Sequence, residues 1–384
     1  MRAVCIFLLL PIPVTAQSPD SLIQQLTGIH TATLKSSFPI SERAMNIYLS
    51  NKIGYYLSDP GDLTLYKNSV LVDATTGQVA VNHSLYQPKD ANQRIKTFST
   101  IGVKAYVKDP SYTRLGFLVK QTWITRGRIR YKDTSQRSTM DALTGGILNT
   151  ITQEIQTKAN NLHTTNTTVR QQFNAGLHDE YNYAFALQQS EMLAKRLAYS
   201  LITLDWTSMD LYIPLITENT KVAPTPASPF TTRHGYPLRL DLSHTRLWES
   251  VPSGRFYLTL TGSLLVNNAR DGYQLDTTTS KNYYLGDYSN FLTPAITAVL
   301  AWFPPTSHVG FSLHAEQNFG SLHTLNGSIG VPIVLIDKKA EPACNFEFLV
   351  RFFDIANTLP SGRGLPGRTA IGLTVGVPFS KIAF

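Results

Sequence analysis

Residues 291–303 read FLTPAITAVLAWF, 304–307 read PPTS, and 308–319 read HVGFSLHAEQNF. In the last run Val309, Phe311, Leu313 and Ala315 alternate with Gly310, Ser312, His314 and Glu316. A period of two places the two sets on opposite faces of a β-strand. The short Pro-rich link makes the two runs neighbouring antiparallel strands. Each is about ten to thirteen residues long, beyond the about five or six of an ordinary globular strand. A tilted strand needs about 9–11 residues to cross a bilayer.

The same alternation spreads outward from this pair. Leu238, Leu240 and Leu242 alternate with Arg239 and Asp241; Phe256, Leu258 and Leu260 alternate with Tyr257, Thr259 and Thr261. Ile371, Leu373, Val375 and Val377 alternate with small or polar residues. The pattern predicts strands near 206–216, 236–248, 254–267, 291–303, 308–319, 323–335, 345–356 and 370–384. Connections 217–235 and 268–290 are long and polar, while 249–253 and 304–307 are short. The alternation then falters: 320–322 is short where a long loop is due, and 336–344 is middling where a tight turn is due. Segment 357–369 is long again and rich in Gly and Pro. Long loops on one rim and tight turns on the other is the plan of a membrane-spanning barrel. Lipid cannot satisfy backbone N–H and C=O groups, so spanning strands must close on themselves.

Upstream, 98–107 and 112–132 read as strands, 68–86 reads as a hairpin around 74–77, and 46–57 fits strand or helix. In 112–132 the odd positions include Leu115, Phe117, Val119 and Trp123. Arg126, Arg128, Arg130 and Lys132 share the even face. They form either a solvated basic strand face or a basic pore wall, which would favour anions. From 138 to 200 the spacing becomes helical: Ile147, Ile151 and Ile155, then Val169, Phe173 and Leu177, divided by Thr164-Thr165-Asn166. This predicts a helical hairpin, either packed on the rest of the protein or serving as a plug or docking arm. Eight strands follow it, so parity puts it on the tight-turn side together with the C-terminus. The expected organisation is a leader over 1–16, barrel strands over 17–137, the hairpin insertion over 138–200 and further barrel strands over 201–384. The fold class is mainly β: an antiparallel transmembrane β-barrel of about 12 strands carrying a helical hairpin.

Composition agrees with that class and excludes others. The 384 residues carry 34 Lys+Arg and 26 Asp+Glu, a formal net charge of +8, with 42% hydrophobic and only 16% charged residues. Disordered chains are less apolar and more charged. Two cysteines cannot make a disulfide-rich scaffold. No stretch approaches the about 20 apolar residues of a membrane helix. Arg2, the apolar run 3–10, Pro11, Pro13 and Val14-Thr15-Ala16 form a secretory signal peptide in its usual order, with Gln17 the expected first mature residue. Cys5 leaves with the signal, and Cys344 alone can form neither an internal disulfide nor a metal set.

The signal peptide, the alternating strands and the terminal Phe384 resemble bacterial outer-membrane β-barrel proteins. In that family the last strand ends in an aromatic residue read by the barrel-insertion machinery, and the resemblance gives Phe384 that role. Phe384 and Ile382 share one parity while Leu373, Val375 and Val377 share the other, a departure from the family pattern that a bulge near Pro378 would reconcile. The resemblance implies a bacterial outer-membrane location, lipid and the insertion machinery as partners, a periplasmic partner for the hairpin, and no nucleic acid. Aromatic residues gather near strand ends, and Trp206, Trp248, Trp302 and Phe303 are candidates for an interfacial girdle.

Candidate chemistry is sparse. Ser312, His314 and Glu316 share the face opposite Phe311 and Leu313, and with Arg239 and Asp241 they are candidates to line the lumen. A His and a carboxylate two apart on a strand can bind a metal or exchange protons, but spacing supplies no third ligand. Outer-membrane phospholipases use a Ser-His pair on the barrel wall, yet no lipase motif surrounds Ser312 and His314. No cofactor is expected, and an enzyme is the less favoured reading. Residues 362–368 (GRGLPGR) lack the ending of a phosphate loop, and Asp271 with Asp276 lack calcium-loop spacing. Three functions fit: a barrel that passes or binds small solutes, a structural or assembly barrel of a surface or secretion complex, or a soluble secreted α+β protein or hydrolase.

Overall fold

The protein is described from a computed structural model. The described residues are 18–35, 40–53, 56, 66–74, 77–85, 94–106, 114–125, 127–162, 166–194, 199–216, 218–223, 229, 231–268, 272–276, 281–285, 290–320, 323–337, 342–358 and 365–381. The leader and Phe384 lie outside them. In chain order the elements begin with α1 (Pro19–Leu34), α2 (Glu42–Ile53), β1 (Tyr66–Asp73), β2 (Gln78–Ser84), β3 (Thr97–Tyr106), β4 (Arg114–Ile124) and β5 (Arg128–Arg130). Helices α3 (Thr134–Asn160) and α4 (Thr167–Ala194) follow. Then come β6 (Leu201–Pro214), β7 (Glu218–Ala223), β8 (Thr231–Gly235), β9 (Arg239–Ser250), β10 (Gly254–Asn268), β11 (Gly272–Asp276) and β12 (Lys281–Leu285). The chain finishes with β13 (Asn290–Phe303), β14 (Phe311–Asn318), β15 (Leu325–Ile336), β16 (Pro342–Phe352) and β17 (Thr369–Lys381).

Twelve of these strands close an antiparallel barrel in the order β1-β2-β3-β4-β6-β9-β10-β13-β14-β15-β16-β17, with β17 returning to β1. The closing seam pairs Val70 with Val377 and Val72 with Val375. Closure leaves no strand edge in the ring. The short β5 continues beside β6 below the end of β4. Strands β7, β8, β11 and β12 form a separate small sheet in the two long connections. Strand direction sorts the connections into two rims. The loop end holds Ala74 and Gly77, strands β7, β8, β11 and β12, and residues 319–320, 323–324, 353–358 and 365–368. The helical end holds the four α-helices of the described residues, the turns 251–253 and 304–310, Asp337 and the end of β17.

Register fixes the facing of every wall residue, because paired residues share a side. Leu260, Leu264, Leu292, Ile296, Leu300, Leu313, Ile329, Val331, Phe348 and Ile371 all lie exposed on the outer face. Their neighbours in sequence face inward and are mostly small or polar. Phe311 and Leu313 are each 41% exposed, whereas Ser312 between them is fully buried. A continuous apolar exterior of this kind is costly in water and suited to lipid. No described helix is long and apolar enough to span a membrane; the strands are what could cross.

The helical end differs from expectation. Segment 17–137 is not all strand: α1 and α2 come first, and 46–53, ambiguous from sequence, is helical. Ser18 caps α1 by accepting from the Ser21 N–H, with Pro19 in the first turn where its missing N–H costs nothing. Asp133 caps α3 through the Gln136 N–H. The α3–α4 hairpin does not stand alone. Leu22 and Leu26 of α1 pack with Leu148, Ile151, Ile155, Leu177, Tyr181 and Phe185, making a three-helix bundle with its own core. Helix α2 packs against α4 and joins a second cluster made with the barrel wall.

Candidate functional site

Helix α2 sits inside the barrel at the helical end. From Arg43 to Leu49 every residue is buried, and so are Ser50, Lys52 and Ile53. Tyr48, Leu49 and Ile53 share a core with inward-facing Ile202, Leu204, Leu247, Tyr257, Ala301, Phe303 and Val334. Several of its polar groups find specific partners, as burial favours. Asn46 accepts from the Ile95 N–H at 2.8 Å, and the Ser41 N–H before the helix donates to Gln189 of α4 at 3.0 Å. The Lys52 ammonium reaches the two oxygens of Glu249 on β9 at 3.0 and 2.7 Å, and the Tyr48 hydroxyl donates to the same carboxylate at 2.7 Å. The Tyr257 hydroxyl donates to the Lys52 carbonyl at 3.0 Å, filling one of the acceptors that a helix C-terminus leaves open. Glu249 is fully buried, with Arg255 its register partner on β10.

Beyond α2 the lumen opens into a cavity of about 370 Å³. Ile53, Tyr56, Phe98, Trp206 and Tyr257 line it where it meets the plug. Its other walls are hydroxyls and amides, among them Ser243, Thr245, Thr259, Thr261, Thr297, Asn326 and Ser328. The charges come in pairs. Arg239 donates to Asp241 at 2.8 Å, Arg351 lies 3.0 Å from Asp73, and Lys120 lies 3.8 Å from Asp210. Asp210 and Asp241 are register partners, so the Lys120–Asp210 and Arg239–Asp241 pairs form one band across β4, β6 and β9. The lining cations Lys104, Lys120, Arg239 and Arg351 face the anions Asp73, Asp210, Asp241 and Glu316, four against four.

The structure places Ser312, His314, Glu316, Arg239 and Asp241 on the inner wall, but not as one reactive group. Glu316 accepts from Asn326 at 2.8 Å and Asn318 at 3.2 Å. His314 instead approaches Glu347 at 3.5 Å and the Tyr56 hydroxyl at 3.3 Å. Ser312 donates directly to Glu347. A nucleophilic serine needs its proton held by the histidine; here the carboxylate holds it and the hydroxyl is buried. Gly330 is required at this point, because a Cβ there would collide with Ser312 and Glu347. Ser312 is therefore packed wall, not lumen with room to spare. No described cluster of three His, Cys, Asp or Glu could hold a metal.

The girdle candidates divide. Trp302 and Trp248 face outward, and register lines up Trp248, Phe256, Trp302 and Phe311 on four successive strands. Trp302 stacks on Phe256 with centroids 6.0 Å apart and donates to the Ser253 carbonyl at 2.8 Å. Trp206 and Phe303 face inward and cannot belong to a girdle: Trp206 pairs with Thr245, and Phe303 pairs with Arg255 and is fully buried. Both pack around α2. The basic run is also corrected. Arg128 and Arg130 pair with outward-facing Thr203 and Leu201, so they lie on the outside of the barrel, while Lys120 lines the cavity. Arg126, Arg363 and Asp271 lie outside the described residues. Arg368 pairs with Asp354. What sequence reading missed entirely is Lys52, Tyr48 and Glu249; no spacing links residues nearly two hundred positions apart.

No protein-family model matches the chain, and no curated protein matches it. Among solved structures it is similar to "KdgM porin" (TM-score 0.31, 7% identity, 81% of this chain and 98% of that one). It is also similar to "NanC porin structure in rhombohedral crystal form" (0.31, 5%, 82% and 98%) and to "CymD monoaromatic hydrocarbon channel" (0.24, 9%, 89% and 98%). Likenesses this distant carry no function across.

Proposed function

We propose that this chain is a bacterial outer-membrane channel for a small polar solute of low net charge, closed at its periplasmic end by α2. The observation that carries the reading is a polar, charge-balanced cavity within an apolar-walled closed barrel, ending on a buried helix. A cavity of about 370 Å³ is at the small end of ligand sites, about 300–1,000 Å³. Four lining cations against four lining anions leave little net field to select ions, whereas hydroxyls, amides and the aromatic floor suit a hydroxylated solute. Loops face the exterior and helices the periplasm, as the tight turns require.

The test is conductance of the full chain in planar bilayers, before and after Lys52→Met. The wild type is expected to insert with little steady current, and the variant to show frequent opening. Failure of the protein to enter bilayers or outer-membrane fractions would refute the membrane reading. A wide-open wild type unchanged by the substitution would refute the plug.

A further inference from the structure

The outer wall carries a second feature that the lumen does not use. A cleft of about 770 Å³ opens at the helical end, lined by Arg128, Arg130, Arg137, Arg246, Tyr131 and Trp248, with Asp133 also at its edge. Its height on the wall is set by register. Arg128 pairs with Thr203, which pairs with Trp248, the first member of the outward aromatic row. Arg130 lies one rung nearer the rim, paired with Leu201. Aromatic rows of this kind sit at the headgroup level of a bilayer. Two arginines thus stand at and just below that level, outside the barrel, exposed and without an ion pair among the described residues. Arg246 pairs with Asp205 at 3.0 Å and lies over the Trp248 ring, 5.7 Å from its centroid. Asp133 is engaged as the cap of α3. The Tyr131 hydroxyl is buried without a hydrogen-bond partner. Burial, with Asp141 beside it, pushes its pKa up to about 12, so it stays a donor.

We infer that this cleft binds the phosphate of an anionic phospholipid in the periplasmic leaflet, with Arg128 and Arg130 on the phosphate and Trp248 at the junction with the acyl chains. Guanidinium groups match phosphate oxygens in pairs, and the adjoining apolar wall is where the chains of such a lipid must lie. A free anion would find the same charges but nothing to occupy the wall. The inference rests on the membrane reading but not on the plug.

The experiment reconstitutes the full chain in nanodiscs of phosphatidylcholine doped with phosphatidylglycerol, and counts retained lipid by native mass spectrometry. Each basic residue near a membrane surface contributes about five-fold to anionic lipid binding, so Arg128→Gln with Arg130→Gln should lower phosphatidylglycerol retention about 30-fold. A control pair, Lys35→Gln with Lys158→Gln, removes the same charge from the helices and should leave retention unchanged. Equal loss in both pairs, or none in either, overturns the site. Displacement of the lipid by inorganic phosphate, itself then retained, overturns the lipid assignment in favour of an anion site. If the arginine variants do not fold, as judged by loss of heat-shifted mobility, salt titration of the wild type decides. Phosphatidylglycerol retention must fall with salt while phosphatidylcholine retention does not, and salt-independent retention overturns the site. Failure to enter nanodiscs at all counts against the membrane reading instead.

Discussion

The two halves of the lumen solve the problem of buried charge in opposite ways. At the helical end, Lys52 and Glu249 form one dry pair between separate pieces of chain, closed over by Tyr48, Tyr257 and Phe303. At the loop end, the Arg239–Asp241 pair lies on a single strand, partly exposed to the cavity. A dry pair whose partners come from different elements locks those elements together, since neither charge can remain alone. A wet pair on one wall shapes the local field and holds nothing in place. The first half holds α2; the second, in the channel proposed above, is the part that meets a solute.

The sharpest way to break this contrast is Lys52→Met. Leaving Glu249 buried without its partner should cost about 3–5 kcal/mol, seen as plug release in conductance and as a lower unfolding temperature. The double change Lys52→Met with Glu249→Leu should recover only part of that loss, because Arg255, buried beside Glu249, then loses its anion. Next in size is the contrast between outer and inner wall. Leu313→Arg places a charge in lipid and should cost about 2–4 kcal/mol near the midplane. Thr261→Arg, which lines the cavity, should cost far less in a urea titration of the barrel in lipid vesicles. Equal costs would mean that the facing is wrong. Ser312, which the alternation alone marks as a tolerant position, is no longer a fair control, because it is packed against Gly330 and Glu347.

Arg239→Gln tests the wet half. Its stability cost should be about 1 kcal/mol or less. It leaves Asp241 without its cation, so reversal potentials of the opened channel should shift toward cation selectivity. The smallest expected effect is with pH. In the turn beneath the plug, burial holds His308 below its usual pKa of 6.5, and Arg255 and Lys52 push the same way. The unfolded chain therefore takes up this proton first as pH falls. The corresponding stability is complete above about 6.5 and is lost as pH drops toward the folded value. Acidification should raise opening slightly, and His308→Gln should flatten that dependence.

How much of this is legible in the sequence depends on what lies behind each strand face. Where the lumen is wet, alternation separates the faces cleanly, as in Leu313–His314 and Leu240–Asp241. Where α2 fills the lumen the contrast vanishes or reverses: Trp302 and Phe303 make both faces apolar, while inward Leu204 and Trp206 alternate with outward Thr203, Asp205 and Thr207. Trp206 and Phe303 drop out as girdle candidates for that reason. Helix α2 is equally hard to see, because a helix buried on all sides has no amphipathic stripe. Its Asn, Ser and Lys read as surface residues until Ile95, Asn46 and Glu249 are known to face them. The Arg128–Arg130 run was followed straight on from β4, but register puts its arginines on the outer side.

One consequence concerns how the plug could be withdrawn. Helix α2 enters from the rim where α1 lies, and β1 begins at that same rim with Tyr66 beside Lys381. The described chain on either side of the plug, Ser41 before it and Tyr66 after it, thus lies at one rim, so withdrawal toward that rim crosses none of the barrel's strand pairings. A pull on α1 would load the helix from Ser41 onward and peel it turn by turn. The Lys52–Glu249 pair, at the far end of the helix, would be the last fastening to feel the strain.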